Sequence, residues 1–229
     1  MIFSCFSCGF HTPWLTRLCP DCKEQLPFIK EVTCQVCRVP LVSNYGNFCG
    51  ACLSEPKFFN QLFTPFYYGE IISGLIQGFK FNKNLASGKL LTLFLLDYLK
   101  INYQDKPWPA LIIPVPLHRK RLRKRGFNQS YLISKWLSQK LKISLSFKLI
   151  TRVIGAAPQV ELSRAARLEN LKQAFKLKFP KNFQIPKHIA LVDDVVTTGA
   201  TIGEISKILK QAGVEKIDVW CLARTVSHY

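Results

Sequence analysis

Apolar residues in the last three quarters of the chain recur with two periods, one typical of helices and one typical of buried strands. Ile71, Ile72, Leu75, Ile76 and Phe79 share one helical face, and a further helix is predicted over residues 85–99. Two later sets with similar spacing predict two more helices, the second ending at Gly213. These sets are Leu132, Ile133, Trp136 and Leu137, and Ile202, Ile205, Ile208 and Leu209.

Short apolar runs separate these helices and predict strands. The runs cover residues 62–68, 110–115, 188–192 and 214–224, and the third of them stops at two adjacent aspartates. Alternation of strands with helices is typical of α/β proteins whose sheet is mostly parallel. The pattern therefore predicts an α/β fold with a mostly parallel sheet flanked by helices.

The distribution of cysteines divides the chain into two parts. The 229 residues suffice for one domain and an appendage, and 48% hydrophobic against 20% charged residues excludes wholesale disorder. Eight of the nine cysteines lie in the first 52 residues, before the helical and strand patterns begin. We therefore predict a cysteine-rich module at residues 1–57 and an α/β domain at residues 58–229. No long Gly/Ser linker separates them, so the two parts are expected to dock.

Charge and hydropathy limit the partners and the location. Thirty-two Lys and Arg residues oppose fourteen Asp and Glu residues, and the net charge of +18 favours polyanionic partners, although an idle basic surface would give the same total. The most apolar run, residues 90–96, is far shorter than the roughly 20 residues of a spanning helix. Residues 1–10 lack the basic start of a signal peptide. We expect a cytoplasmic protein without membrane insertion.

Four CxxC pairs predict two structural zinc sites. Each pair brings two thiolates to one ion, and two pairs complete a tetrahedral shell, so eight thiolates fill two closed sites. Consecutive pairs, or the first with the third and the second with the fourth, would use the same ligands, and the spacing leaves this choice open. The predicted ligands are Cys5, Cys8, Cys19, Cys22, Cys34, Cys37, Cys49 and Cys52.

The segment from Val192 to Thr201, VDDVVTTGAT, predicts a ribose-phosphate site. It follows an apolar strand and precedes an amphipathic helix, and ligands of open α/β sheets bind beyond the carboxyl ends of strands. A helix N-terminus offers free N–H groups to a phosphate, Gly199 permits close backbone approach, and the threonines add hydroxyls. Asp193 and Asp194 are acceptors suited to two neighbouring ribose hydroxyls. An ordinary strand and helix joined by capping residues is the alternative.

Three motifs of this chain resemble the ComF family and follow one another along the chain in the order found in that family. The family includes ComFC and GntX-like proteins of the type I phosphoribosyltransferase superfamily. The motifs are VDDVVTTGAT (192–201), PVPLHRKRLRKRGFNQS (114–130) and QVELSRAARLENLKQAF (159–175), and together with the CxxC pairs they cover essentially the whole chain. The resemblance implies a phosphoribosyltransferase-type fold that binds phosphoribosyl pyrophosphate (PRPP). It also implies that Mg²⁺ bridges pyrophosphate and ribose oxygens instead of occupying a protein cage.

The resemblance assigns the PRPP-binding residues to two loops. Asp193 and Asp194 would face the ribose hydroxyls, residues 197–201 would surround the 5′-phosphate, and residues 115–118 would form the pyrophosphate loop. The full predicted set is Asp193, Asp194, Val195, Val196, Thr197, Thr198, Gly199, Ala200 and Thr201, with Val115, Pro116, Leu117 and His118.

Two further segments carry polar candidates. The position of residues 152–171 matches the hood that closes over PRPP in the resembled superfamily, with Gln159, Arg164, Arg167 and Asn170 as its polar candidates. A dense run of cations follows the pyrophosphate loop and is predicted to bind pyrophosphate or a nucleic-acid backbone, a solvated basic turn being the alternative. Its members are Arg119, Lys120, Arg121, Arg123, Lys124 and Arg125.

Residues outside these loops have simpler expectations. Asn128 is expected to cap the next helix, whereas Phe127 could stack on a base or anchor the loop in the core. His188 at the start of a strand is expected to be structural, and Cys221 is expected to be a buried apolar residue. No residue marks a catalytic nucleophile, so the acceptor of a transfer reaction and catalysis itself stay open.

By the family resemblance, the function lies in natural competence, in the uptake or handling of incoming single-stranded DNA. The expected partners are PRPP, single-stranded DNA and other competence or DNA-uptake proteins. A phosphoribosyltransferase, a non-catalytic PRPP sensor that gates partners, and a nucleotide-salvage enzyme are the open alternatives. Purine-type members of the superfamily carry an Asp at the position of Thr197, and its absence argues against a hypoxanthine or guanine enzyme and favours the sensor slightly.

Overall fold

The computed structural model describes residues 2–5, 8–13, 18–41, 46–55, 57–153, 174–180 and 183–226. The helices within these ranges are α1 (Pro20–Glu24), α2 (Gly50–Ser54), α3 (Glu70–Phe81), α4 (Leu85–Asn102), α5 (Arg119–Arg125), α6 (Gln129–Leu141) and α7 (Ala200–Gln211). The strands are β1 (Ile2–Ser4), β2 (His11–Pro13), β3 (Gln61–Phe63), β4 (Phe66–Tyr67), β5 (Leu111–Pro114), β6 (Ser144–Leu145), β7 (Ile150–Arg152), β8 (Phe175–Leu177), β9 (His188–Val196) and β10 (Lys216–Arg224).

The main sheet is parallel in every pairing that the described part contains. Its strand order is β3-β10-β9-β5-β6, and the short strand β4 also pairs with β10. Two separate antiparallel ribbons are formed by β1 with β2 and by β7 with β8. The predicted α/β fold with a mostly parallel sheet flanked by helices is therefore confirmed.

Helices cover both faces of this sheet, which explains why its central strands read as continuous apolar runs. Successive side chains of a strand point to opposite faces. Ala190 and Val192 of β9 accordingly join one core with α3, α4 and α6, while Ile189 and Leu191 join a second core with α7. All four of these β9 residues are fully buried.

The strand β9 ends later than the apolar pattern indicates. The pattern predicts a strand that stops at Asp193 and Asp194, and the structure corrects this expectation, because β9 runs through both aspartates to Val196. The parallel ladder with β10 continues there, pairing Ala223 with Val195 and Arg224 with Val196. The two aspartates therefore lie within the paired strand and not beyond its end.

The basic run has more order than a solvated turn. Arg119–Arg125 forms the helix α5, whose N-cap His118 accepts a hydrogen bond at Nδ1 from the backbone N–H of Lys120 at 3.2 Å. Gly126 ends the helix in the left-handed region with a φ of 86°, a conformation that favours glycine. The cations are therefore held on a regular element that follows β5.

The cysteine-rich part docks on the sheet, as expected from the missing linker. Leu18 and Leu26 belong to the same buried core as α3 and α4, and the ring of Phe28 lies 4.7 Å from that of Phe66 in β4. Backbone hydrogen bonds reinforce the contact, among them one of 3.0 Å from the N–H of Tyr67 to the carbonyl of Pro27. The division at residue 57 stays a prediction.

A buried polar network lies where β9 and β10 begin, at the end of the sheet opposite to Asp193 and Asp194. Asp218 Oδ2 accepts from the Tyr103 hydroxyl at 2.6 Å and contacts His188 Nε2 at 2.7 Å. Trp220 Nε1 donates to the Tyr103 hydroxyl at 3.1 Å. Burial is the main cause of a raised pKa of Tyr103, and the neighbouring Asp218 raises this pKa further. His188 is thus structural, as expected, and Cys221 is fully buried.

Among the helices in the described ranges, none combines the length and the apolar character needed to cross a membrane.

Candidate functional site

The strand order of the sheet has a switch point between β5 and β9. After β5 the chain proceeds outward to β6, whereas after β9 it proceeds to β10 on the opposite side. The two strands are direct neighbours, and the N–H of Val115 donates to the carbonyl of Val192 at 2.8 Å. The loops that follow them must diverge and leave a crevice, which is where open α/β sheets bind ligands.

The segment after β9 has the geometry of a phosphate loop. Gly199 has a φ of 80°, a left-handed conformation that other residues adopt at a cost, and α7 begins at Ala200. Thr197 and Thr198 are exposed, and Thr198 Oγ1 accepts from the N–H of Ala200 at 3.3 Å. The first N–H groups of this 12-residue helix, and its positive dipole end, can therefore face an anion in the crevice.

The two aspartates have different partners. Asp193 Oδ1 accepts from the hydroxyl of Ser130 at 2.9 Å and from the N–H of Asp194 at 2.9 Å. Asp194 Oδ2 lies 2.7 Å from Nζ of Lys80, near the end of α3. Burial is the main cause of a raised pKa of Asp193, the charge of Asp194 adds to it, and together they bring this pKa to about 7. The pair therefore resists carrying two full negative charges.

The loop after β5 is fixed by the start of α6. Asn128 Nδ2 donates to the carbonyl of Val115 at 3.0 Å, and Asn128 Oδ1 accepts from the N–H of Ser130 at 3.1 Å. The predicted helix cap at Asn128 is therefore confirmed. Phe127 packs on Phe79 with ring centroids 5.6 Å apart, so it anchors the loop in the core.

The cations of α5 fall into two groups. Arg125 is half-buried and donates from Nη1 to Oε1 of Gln129 at 2.7 Å, and burial lowers its pKa. The remaining five cations of the run are exposed: Arg119, Lys120, Arg121, Arg123 and Lys124. The structure thus presents a group of solvent-accessible positive charges directly after the predicted pyrophosphate loop at residues 115–118.

The four hood candidates Gln159, Arg164, Arg167 and Asn170 lie outside the described residues. The strands that flank this segment in the chain, β7 and β8, pair with each other, with Arg152 opposite Phe175. Burial is the main cause of a lowered pKa of Arg152, the charge of Arg121 lowers this pKa further, and the charge of Asp193 raises it. The guanidinium carbon of Arg152 lies 5.4 Å from the centre of the Phe175 ring.

Two residues of this site are not among the predicted ligands: Lys80 and Ser130. Lys80 lies far before Asp194 in the chain, and nothing in the local pattern of α3 distinguishes it from a solvated lysine. Ser130 ends the GFNQS motif, and its place at the start of α6 is the available signal. Lys80 and Ser130 become visible as site residues only when the fold brings α3 and α6 against β9.

The eight predicted zinc ligands form two clusters, and the structure decides between the open pairings. Cys5, Cys8, Cys19 and Cys22 form the first cluster, and Cys34, Cys37, Cys49 and Cys52 form the second, so consecutive CxxC pairs combine. The sulfurs of Cys8 and Cys19 are 3.7 Å apart, and those of Cys37 and Cys49 are 3.5 Å apart. A tetrahedral shell with Zn–S bonds of about 2.3 Å requires sulfurs about 3.8 Å apart, so both clusters fit zinc.

Comparisons with known proteins agree with this organisation. The Double zinc ribbon domain family matches residues 3–53. Competence protein F of Haemophilus influenzae is 38% identical over 222 residues, which cover 90% of this chain and 96% of that protein. DNA utilization protein YhgH of Escherichia coli K12 is 36% identical over 195 residues, 84% of each chain. Competence protein ComFC of Streptococcus pneumoniae is 26% identical over 90% of this chain and 87% of that protein.

Solved structures give weaker similarities. An adenine phosphoribosyltransferase has a TM-score of 0.40 at 12% identity, over 64% of this chain and 74% of its own. The Helicobacter pylori xanthine-guanine-hypoxanthine phosphoribosyltransferase has a TM-score of 0.38 at 14% identity, over 63% and 86%. With 38% identity across nearly the whole of Competence protein F, the chain belongs to the ComF family.

Proposed function

We propose that this ComF-family protein binds PRPP with Mg²⁺ in the crevice between β5 and β9 and holds single-stranded DNA on the adjacent basic helix. In this role it assists the uptake or handling of transforming DNA. The observation that carries the proposal is the position of the carboxylate pair and the glycine-containing loop at the point where the chain reverses across the sheet.

Each part of PRPP would meet a complementary group in this crevice. The 5′-phosphate would accept hydrogen bonds from the N–H groups and threonine hydroxyls of residues 197–201. The two ribose hydroxyls would donate to Asp193 and Asp194, which already accept a hydrogen bond from Ser130 and pair with Lys80, respectively. Ligand binding would therefore add polar contacts without burying an unpaired charge.

The donor set fits Mg²⁺ carried by the ligand. Among the described residues, the two cysteine clusters are the places where three or more metal-ligating side chains come together. In that part of the chain, the crevice offers only the two carboxylates of Asp193 and Asp194, too few for a metal site made of protein ligands alone. Mg²⁺ keeps several waters and binds phosphate oxygens readily, and when bound it would neutralise the pyrophosphate. Residues 115–118 would face that same end of the ligand.

Amide hydrogen exchange tests the location of this site. Addition of PRPP and Mg²⁺ should slow exchange in residues 197–201, because their N–H groups would become hydrogen-bond donors to the phosphate. Ribose 5-phosphate should protect the same loop but leave residues 115–118 unchanged. Unchanged exchange in residues 197–201 at saturating PRPP would refute the assignment.

The proposed contact with single-stranded DNA depends on the positive charges of α5. Five exposed cations on one short helix suit the phosphates of a nucleic acid, whose binding releases counterions and therefore weakens with salt. Changing Arg119, Lys120, Arg121 and Lys124 to Gln should flatten the salt dependence of single-stranded DNA binding by about 2 to 3 in log–log slope. Changing the exposed Lys89, Lys100, Lys135 and Lys140 to Gln is the matched control, and equal effects of both sets would refute the assignment.

The remaining parts of the function follow from the organisation of the chain. We propose residues 1–57 as the zinc module and residues 58–229 as the PRPP-binding domain, acting in the cytoplasm with other competence or DNA-uptake proteins. The names Competence protein F and DNA utilization protein YhgH, carried by relatives, support a DNA-related role.

A non-catalytic PRPP sensor is the second candidate. Thr197, which replaces the Asp of purine-type enzymes, is exposed and offers no carboxylate to a base. Release of pyrophosphate from PRPP with some acceptor would establish the transferase. DNA affinity that depends on PRPP without turnover would establish the sensor.

A further inference from the structure

Phe81 is an exposed aromatic residue beside the basic helix. It is the last residue of α3 and is 68% exposed, whereas Ile72, Ile76 and Phe79 of the same helix are fully buried. The guanidinium carbon of Arg125 lies 5.0 Å from the centre of the Phe81 ring. Phe81 is not needed to anchor the neighbouring loop, because Phe127 already packs on Phe79.

Arg125 holds this arrangement in place. Its Nη1 donates to Gln129 Oε1, so the guanidinium near the Phe81 ring is fixed at the start of α6. Leu122 precedes Arg125 by three residues, lies on the same face of α5 and is 39% exposed. Phe81 and Leu122 therefore both offer apolar surface next to Arg125 and the exposed cations of α5, and the exposed Lys83 lies two residues beyond Phe81.

An aromatic ring among cations is the combination that suits single-stranded nucleic acid. Bases of a single strand are free to stack on aromatic side chains, whereas those of a duplex are already stacked on one another. The cations meanwhile pair with the phosphates of the same strand. A protein partner with an acidic surface would use the cations but would have no need of an open ring face.

We propose that Phe81 is a stacking platform for a base of single-stranded DNA whose phosphates lie along α5. This inference rests on the proposed DNA-binding function and identifies the contact that distinguishes a single strand from a duplex. Lys80, next to Phe81, pairs with Asp194 at 2.7 Å, so the stacked base would lie beside the ribose crevice.

Oligonucleotides with and without bases test this contact. Phe81→Leu should weaken binding of a single-stranded oligonucleotide by about 5- to 100-fold and leave binding of an abasic oligonucleotide of equal length unchanged. Phe81→Trp should restore the affinity. Phe58→Leu is the matched control, because Phe58 is also exposed, at 45%, and also has a cation near its ring, with Lys207 Nζ at 5.8 Å.

The outcomes separate this inference from the proposed function. If the wild type binds normal and abasic strands equally, or if Phe81→Leu weakens both equally, the stacking role is wrong while a charge-based DNA contact survives. If the wild type binds no single-stranded DNA, the proposed DNA function itself fails. Circular dichroism and zinc content should be the same for all variants, because Phe81 is exposed.

Discussion

Arg224 joins the second zinc cluster to the strand that carries the proposed site. Its Nε donates to the carbonyl of Cys37, a cluster ligand, at 3.1 Å, and its Nη1 donates to the carbonyl of Val196, the last residue of β9, at 3.0 Å. The side chain is buried, at 8% exposure. One side chain therefore bridges a ligand of the second cluster and the backbone directly before the predicted phosphate loop.

Replacement of Arg224 by Met should loosen the phosphate loop. The substitution removes the side-chain hydrogen bonds to the carbonyls of Cys37, Val196 and Thr225 and leaves the Cys37 carbonyl without this donor, which should cost about 1–3 kcal/mol of unfolding free energy. Amide exchange in residues 197–201 should accelerate. Arg38→Met is the control, because the Arg38 guanidinium contacts Tyr98 in α4, and it should leave that exchange unchanged. Equal exchange in both variants would contradict the link.

Lys80 and Asp194 should show a measurable coupling energy. Their ion pair of 2.7 Å is largely shielded from water, with side chains 21% and 12% exposed. Lys80→Met alone should destabilise the protein by about 1–3 kcal/mol, because it leaves a carboxylate without its cation. Chemical denaturation of Lys80→Met, Asp194→Asn and the double variant gives the coupling. A double variant whose loss equals the sum of the single losses would show that the pair contributes nothing.

Asp193 should make stability depend on pH near neutrality. Burial and Asp194 raise its pKa to about 7 from an unfolded value of 3.8, so between these values the folded state holds a proton that the unfolded state has lost. The contribution to stability is therefore lost as pH rises, by about 1–2 kcal/mol between pH ~5.5 and ~7. Asp193→Asn, compared with the wild type at constant zinc content, should lack this loss. A constant difference between the two proteins across that range would contradict the raised pKa.

Gly88 should be sensitive to the smallest substitution. It lies inside α4, where an added Cβ would meet the Phe79 ring at 2.6 Å, and that ring in turn packs on Phe127. Gly88→Ala should therefore destabilise the protein by about 1–3 kcal/mol. Gly74→Ala in α3 is the control, because no atom lies within 4 Å of its added Cβ and the better helix propensity should stabilise by about 0.5–1 kcal/mol. Thermal unfolding of both variants measures the difference, and equal Tm values would contradict the close packing at Gly88.

The elements of this fold that the sequence predicts are those governed by local patterns. The periodicities of α3, α4, α6 and α7 and the apolar runs of β5, β9 and β10 each reflect residues buried on one face or on both. The end of β9 is not predicted in this way, because polar Asp193 and Asp194 lie where pairing with β10 still continues. Long-range pairing and not local propensity decides that boundary.

The same distinction applies to the candidate site. The VDDVVTTGAT segment indicates the loop and its carboxylates because the whole motif is contiguous. Lys80 and Ser130 reach Asp194 and Asp193 from two separate helices, so only the packing of those helices against β9 reveals them. The zinc ligands are evident from spacing alone, whereas their pairing requires the positions of the four CxxC pairs in space.

Calorimetric titration with PRPP and Mg²⁺ tests the central claim most directly. Above pH ~7, where Asp193 is ionised, the zinc-loaded wild type should bind one PRPP per chain, and the Asp193→Asn/Asp194→Asn double variant should bind at least about 100-fold more weakly, because two charge-assisted hydrogen bonds are lost. The exposed pair Asp97→Asn/Asp105→Asn is the matched control and should bind like the wild type. Absence of binding by the folded wild type, or equal binding by the double variant, would contradict the account.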